Sequence, residues 1–180
     1  MINSRLSKEK GTFTVEFAIV GIIFSLLLVF TGDLVIKLAT RGQLDRIAYS
    51  SVSLLKERSQ LFYQDSDITP NEAEKIYEIV KSSLRRTLGG FDENRFGFII
   101  NARRGVDFEF NWTSPDGLAS NCTSRDLAGP YTQELGFATS GQNQVTLYQV
   151  TLCYDTLDWY GHLLGRDYQR VSTNAIMVGR

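Results

Sequence analysis

One stretch settles the outline of this chain. From Phe17 to Gly32 there is no charged residue, and across the 21 residues from Thr12 to Gly32 the only one is Glu16. As an α-helix rising about 1.5 Å per residue, that stretch reaches roughly 31 Å, close to the ~30 Å of a bilayer's hydrocarbon core. A surface helix of a globular domain keeps a polar face, whereas here the apolar residues go all round, so a half-buried core helix does not fit. A cleaved secretory signal has an apolar core of about 7–15 residues followed by small residues of A-x-A type. This run is longer, and Asp33 to Thr40 reads Asp-Leu-Val-Ile-Lys-Leu-Ala-Thr with no such site. The expectation is a single-pass anchor that stays with the chain.

The flanks give its direction. Arg5, Lys8 and Lys10 precede the span with Glu9 as the one acid among them, and Asp33 follows it. Basic residues stay on the cytoplasmic side, so the N-terminus is expected inside and the remainder exported. Cysteine use agrees: Cys122 and Cys153 are the only two, and both lie beyond the span. With His162 the sole histidine, a zinc site is a poor reading. A Cys122–Cys153 disulfide suits an oxidising compartment, and two buried free thiols are the competing reading. With 19 basic and 20 acidic residues the chain lacks the basic excess of a general nucleic-acid binder. The pairs Arg85-Arg86 and Arg103-Arg104 are too short to supply one.

Beyond the membrane the period stays helical. Leu44, Ile47, Ala48, Ser51, Leu54, Leu55, Leu61 and Phe62 recur every three or four residues, with Arg46, Lys56, Glu57 and Gln60 elsewhere on the wheel. This predicts that the first helix continues as an amphipathic extension over residues 33–62, its stripe against an exported domain. A second helix opens at Thr69-Pro70-Asn71-Glu72, a capping box with proline at the first helical position. Ala73, Ile76, Tyr77, Val80, Leu84 and Leu88 mark its buried face, and Gly89-Gly90 stops it. Then the period becomes two. Phe96 to Ile100 reads as a strand, Asn101 to Gly105 as a connection, and Val106 to Trp112 as a half-wet strand with Asp107, Glu109 and Asn111 outward. Thr113 to Gln142 reads mostly as loop, Val145 to Tyr154 as a long strand, and residues 168 to 178 as a last one. The expected class is α+β: a long N-terminal helix, half transmembrane and half amphipathic, then a second helix and a small antiparallel sheet. The expected divisions are a leader over residues 1–11, the transmembrane helix over 12–32, its extension over 33–62 and an exported domain over 63–180.

No catalytic constellation stands out. There is no nucleophile elbow, no phosphate loop and no His-x-x-x-His pair. Asp107 and Glu109 are the wet side of a strand, Asp155 and Asp158 mark a strand end, and His162 has no evident partner. No cofactor and no metal are expected.

The stretch Lys10-Gly11-Thr12-Phe13-Thr14-Val15-Glu16-Phe17 resembles the processing site of type IV prepilins. The run Glu16-Phe17-Ala18 is similar to that of the TadE/TadF pseudopilins, minor components of the tight-adherence (Flp) pilus, with TadF the closer on length. The resemblance implies cutting by a prepilin peptidase between Gly11 and Thr12, which leaves Glu16 as the fifth mature residue. It also implies that Glu16, with Phe17 beside it, pairs with a subunit's new N-terminal amine to set filament register. The implied partners are the prepilin peptidase, other pilins and pseudopilins, the inner-membrane assembly platform and the lipid bilayer. The implied place is the inner membrane of a Gram-negative bacterium, with the C-terminal domain in the periplasm. The chain is longer than the major Flp pilins, which points to a minor subunit that does no chemistry. An alternative keeps the anchor and drops the assembly, giving a membrane-tethered periplasmic ligand-binding or sensor domain.

Overall fold

Helix α1 runs without a break from Arg5 to Lys56, 52 residues. Its first proline-free limit is Pro70, so nothing in it removes a backbone donor or forces a kink. The computed structural model describes residues 5–57, 67–105, 108–118, 122–124, 127, 145–158, 161, 165 and 169–179, with side chains from residue 13 onward. Two halves of α1 differ sharply. From Phe13 to Leu38 the large apolar side chains are exposed, while Leu44, Ile47, Ala48, Ser51, Val52 and Leu55 are buried. Leu44, Ile47, Ala48, Ser51 and Leu55 belong to the expected stripe, while Val52 joins it unforeseen and Leu54, expected in it, is only partly buried. The helix ends at Lys56; the expected continuation to residue 62, with Leu61 and Phe62, lies outside the described residues.

Helix α2 spans Pro70–Thr87 and begins as its sequence dictates. The Thr69 backbone N–H donates to Glu72 Oε2 at 3.0 Å, and the Glu72 N–H donates back to Thr69 Oγ1 at 3.4 Å. Both arms of the capping box satisfy N–H groups that a helix start otherwise leaves open. Ala73, Ile76, Tyr77, Val80 and Leu84 are buried, with Leu88 partly so.

Four strands follow: β1 (Phe96–Arg104), β2 (Phe108–Thr113), β3 (Leu147–Asp155) and β4 (Arg170–Val178). They form one sheet in the order β2-β1-β3-β4, every neighbour antiparallel. The expected α+β class is what the chain adopts. One boundary is corrected: Asn101 to Arg104 are strand, not connection, paired with Asn111 to Phe108 on one side. Asn101 to Arg103 also face Gln149 to Leu147 on the other side. A strand flanked on both sides gains ladder bonds that outweigh the poor strand preference of Asn. Val106 and Asp107 lie outside the described residues, and Phe108, Phe110 and Trp112 alternate with exposed Glu109, Asn111 and Thr113.

The inner face of the sheet presents Phe96, Phe98, Ile100 and Ala102 from β1, and Tyr148, Val150, Leu152 and Tyr154 from β3. It packs against the buried stripes of both helices, each fully buried large apolar side chain contributing about 1.5–3 kcal/mol. Tyr77 of α2 sits among Phe96, Phe98 and Trp112, with ring centroids 5.8–6.2 Å apart. α1 lies mainly over β4 and β3. There Thr173 Oγ1 of β4 donates to Asp45 of α1. After β2 the chain folds back on β1, Ser114 N–H donating to the Phe98 carbonyl and Leu118 N–H to the Phe96 carbonyl. Gly117, at φ +75°, makes this turn possible, since a Cβ there would collide with the Phe96 carbonyl oxygen.

Candidate functional site

The apolar half of α1 is the most unusual surface of the molecule. Phe13, Val15, Phe17, Ile19, Val20, Ile22, Ile23 and Phe24 are all more than half exposed. A contiguous apolar surface of this size marks contact with lipid or with another protein. Glu16 stands in it, exposed, with no hydrogen bond or ion pair among the described residues. At the bilayer centre an ionised carboxylate costs about 2.5–3.5 kcal/mol on insertion scales, a cost that a nearby cation or reach to the headgroups offsets for a residue near the end of the apolar run. Gly11 and Thr12 lie inside α1, in helical backbone. Glycine in a helix interior is about 1 kcal/mol less favourable than alanine, so the backbone at Gly11 unwinds more readily than its neighbours.

Where α1 meets the domain, three charges close on one another. Lys37 Nζ lies 2.6 Å from Asp33 Oδ2 and 2.9 Å from Asp158 Oδ1. The side chains of Lys37, Asp33 and Asp158 are 18%, 7% and 2% exposed. The Gly161 N–H also donates to Asp158 Oδ1 at 2.9 Å. Two carboxylates thus share one ammonium and a backbone donor, an arrangement that tolerates poor hydration because each oxygen cluster has a partner. It fastens the segment after β3 to α1, one helical turn beyond the charge-free run.

On the outer face of the sheet, Cys153 of β3 is bonded to Cys122, with Cα atoms 5.8 Å apart. Ile99 packs beside the pair. The bridge pins the segment after β2 over the sheet, as the disulfide reading expected. Beside it is a polar recess of about 220 Å³, lined by Asn101, Arg103, Glu109, Asn111 and Ser124 among others. Asn101 Nδ2 donates to Ser124 Oγ at 3.0 Å, and the fully buried Gln149 amide has no partner among the described residues. Nothing there aligns a nucleophile with a base.

The structure therefore brings Cys122 and Cys153 together and leaves Glu16 and Phe17 facing outward on the helix. Asp155 ends β3 and holds Arg170 through Nε at 2.9 Å and Nη2 at 3.1 Å, as a strand-end residue. His162 and Asp107 lie outside the described residues. The sequence reading missed the Lys37 cluster. Asp33 and Lys37 carried half its signal, being four residues apart on a helix. Asp158, 121 residues from Lys37, gave none.

A family model described as tight adherence pilin protein F, TadF, matches residues 5–180. No curated protein matches, and no solved structure does.

Proposed function

The chain belongs to the TadF family of tight adherence pilin proteins, and on that footing we propose that it is a minor pseudopilin assembled at the bacterial inner membrane. A prepilin peptidase cuts it between Gly11 and Thr12 at the cytoplasmic face, and α1 then carries it into the pilus machinery. The span over residues 12–32 lies in the bilayer, and residues 63–180 lie in the periplasm as an α+β domain. Its partners are the peptidase, other pilins and pseudopilins, and the assembly platform. Its part is structural: it positions a helix and a domain, and catalysis is left to others.

The observation that carries this reading is Glu16, exposed on an apolar helix five residues after Gly11 and without a partner among the described residues. Cutting after Gly11 places a new ammonium on Thr12, one helical turn from that carboxylate. In a poorly hydrated setting such opposite charges attract strongly, and a neighbouring subunit's amine is the cation Glu16 lacks within its own described structure. The same exposed apolar surface then packs helix on helix.

Mass spectrometry of the chain isolated from membranes with an active prepilin peptidase tests the reading. A mature N-terminus at Thr12 is expected. A chain that keeps Met1 under those conditions overturns it.

A further inference from the structure

The apolar surface of α1 does not stop where the charge-free run stops. Leu34, Val35, Ile36 and Leu38 are 45%, 64%, 42% and 59% exposed. Phe13 to Leu38 is 26 residues, about 39 Å of helix, against roughly 30 Å of hydrocarbon. Beyond Glu16 the only charges in that length are Asp33 and Lys37. Both turn toward the domain, where Asp158 completes their cluster under cover of protein. Ionisable groups at membrane depth behave this way, facing protein and pairing with one another.

Asp158 also fixes the level of the segment that carries it. Its neighbour Leu157 is 60% exposed. Among the described residues after α1, only Ile79 and Leu157 are large apolar side chains left exposed. Ile79 is on α2, whereas Leu157 adjoins the cluster on α1. In sequence Leu157 and Asp158 are followed by Trp159, Tyr160, Leu163 and Leu164, a composition suited to a membrane–water boundary, where Trp and Tyr concentrate.

We propose that the outer boundary of the bilayer lies at the level of Leu38, beyond Gly32. The Asp33–Lys37–Asp158 cluster is then a membrane-depth ion pair, and the segment at Leu157 is a second point of lipid contact. This rests on α1 being the membrane span. Continuity argues for lipid as the occupant: the exposed surface from Leu34 to Leu38 extends that of the span with no exposed charge between them, and exposed Leu157 adjoins the Asp158 that binds Lys37 within that stretch. A helix too long for the hydrocarbon tilts or draws its flanking residues to the interface, and a clamp at Lys37 moves the domain with it. The domain is thereby seated on the membrane instead of swinging above it.

The variants Val20→Cys, Val35→Cys, Leu157→Cys and Ile79→Cys, made singly with the native pair bridged, are labelled with an environment-sensitive nitrobenzoxadiazole dye. The full chain is reconstituted in phosphatidylethanolamine–phosphatidylglycerol vesicles containing nitroxide-labelled lipids. Quenching at Val20, Val35 and Leu157 several-fold above that at Ile79 is the expected result, with Leu157 quenched best by nitroxides near the headgroups. If Val20 is quenched while Val35 matches Ile79 the raised boundary is wrong, if Leu157 matches Ile79 the second contact is wrong, and in both cases the span survives. If Val20 itself matches Ile79, the span and this inference both fall.

Discussion

Tyr77 is buried with its ring among Phe96, Phe98 and Trp112, yet its hydroxyl has no hydrogen-bond partner among the described residues. Burial pushes the phenol above its usual value of 10.0; Lys81 and Arg85 pull it down, while Asp116 and Glu78 push it further up. The folded chain therefore holds this proton more tightly than the unfolded chain does. That stability is complete below the unfolded value and is lost as pH rises through the folded one. Tyr77→Phe keeps the ring and removes the unpaired hydroxyl. It should stabilise the fold by about 1 kcal/mol and flatten the alkaline loss, read from denaturant unfolding at neutral and alkaline pH. Substitution of Lys37 has the opposite effect on stability. Lys37→Met leaves Asp33 and Asp158 close together without their cation, and should cost about 3 kcal/mol, the lower end for buried pairs because Lys37 keeps some exposure. Thermal unfolding in detergent measures it.

Among the elements, α2 is the one whose start is written in four consecutive residues. Thr69→Ala removes one arm of the capping box and should lower stability by about 1 kcal/mol, seen as a reduced Tm with the helix otherwise intact. Such local chemistry is why both helices were legible before any coordinates. The stripe from Leu44 to Leu55 and the face from Ala73 to Leu84 each follow a period that one segment sets by itself. Alternation likewise marked β2, with Phe108, Phe110 and Trp112 turned inward. The second half of β1 was not legible, because Asn101 to Arg104 become strand through partners contributed by β2 and β3. The Lys37 cluster was hidden for the same reason, its third member arriving from the far end of the chain. At the candidate site Cys122 and Cys153 could be paired by count alone, being the only two. The polar row of Asn111, Asn101 and Gln149 emerged only from register.

At the scale of the molecule, a single helix joins an apolar shaft to a folded domain. The stretch from Phe13 to Lys56 is 44 residues, about 66 Å at 1.5 Å each, with no break at the point where its surroundings change. Glu16→Ala should leave insertion and the domain unaffected, since Glu16 touches neither, while pilus assembly falls. Membrane fractionation together with counts of surface pili checks both halves, and normal piliation in the variant removes the proposed role. The packing of α1 on β4 has a further consequence for biogenesis. α1 emerges from the ribosome early, and Val171, Thr173, Ala175 and Met177 emerge late. On the proposed topology, until those residues have crossed the bilayer the greasy underside at Leu44, Val52 and Leu55 lacks the strand that covers most of it, with β3 and α2 covering the rest. If the domain is exported as proposed, its closure must wait for translocation to deliver the β4 segment, and a stall before residue 170 leaves a partly covered, sticky stem open to proteases.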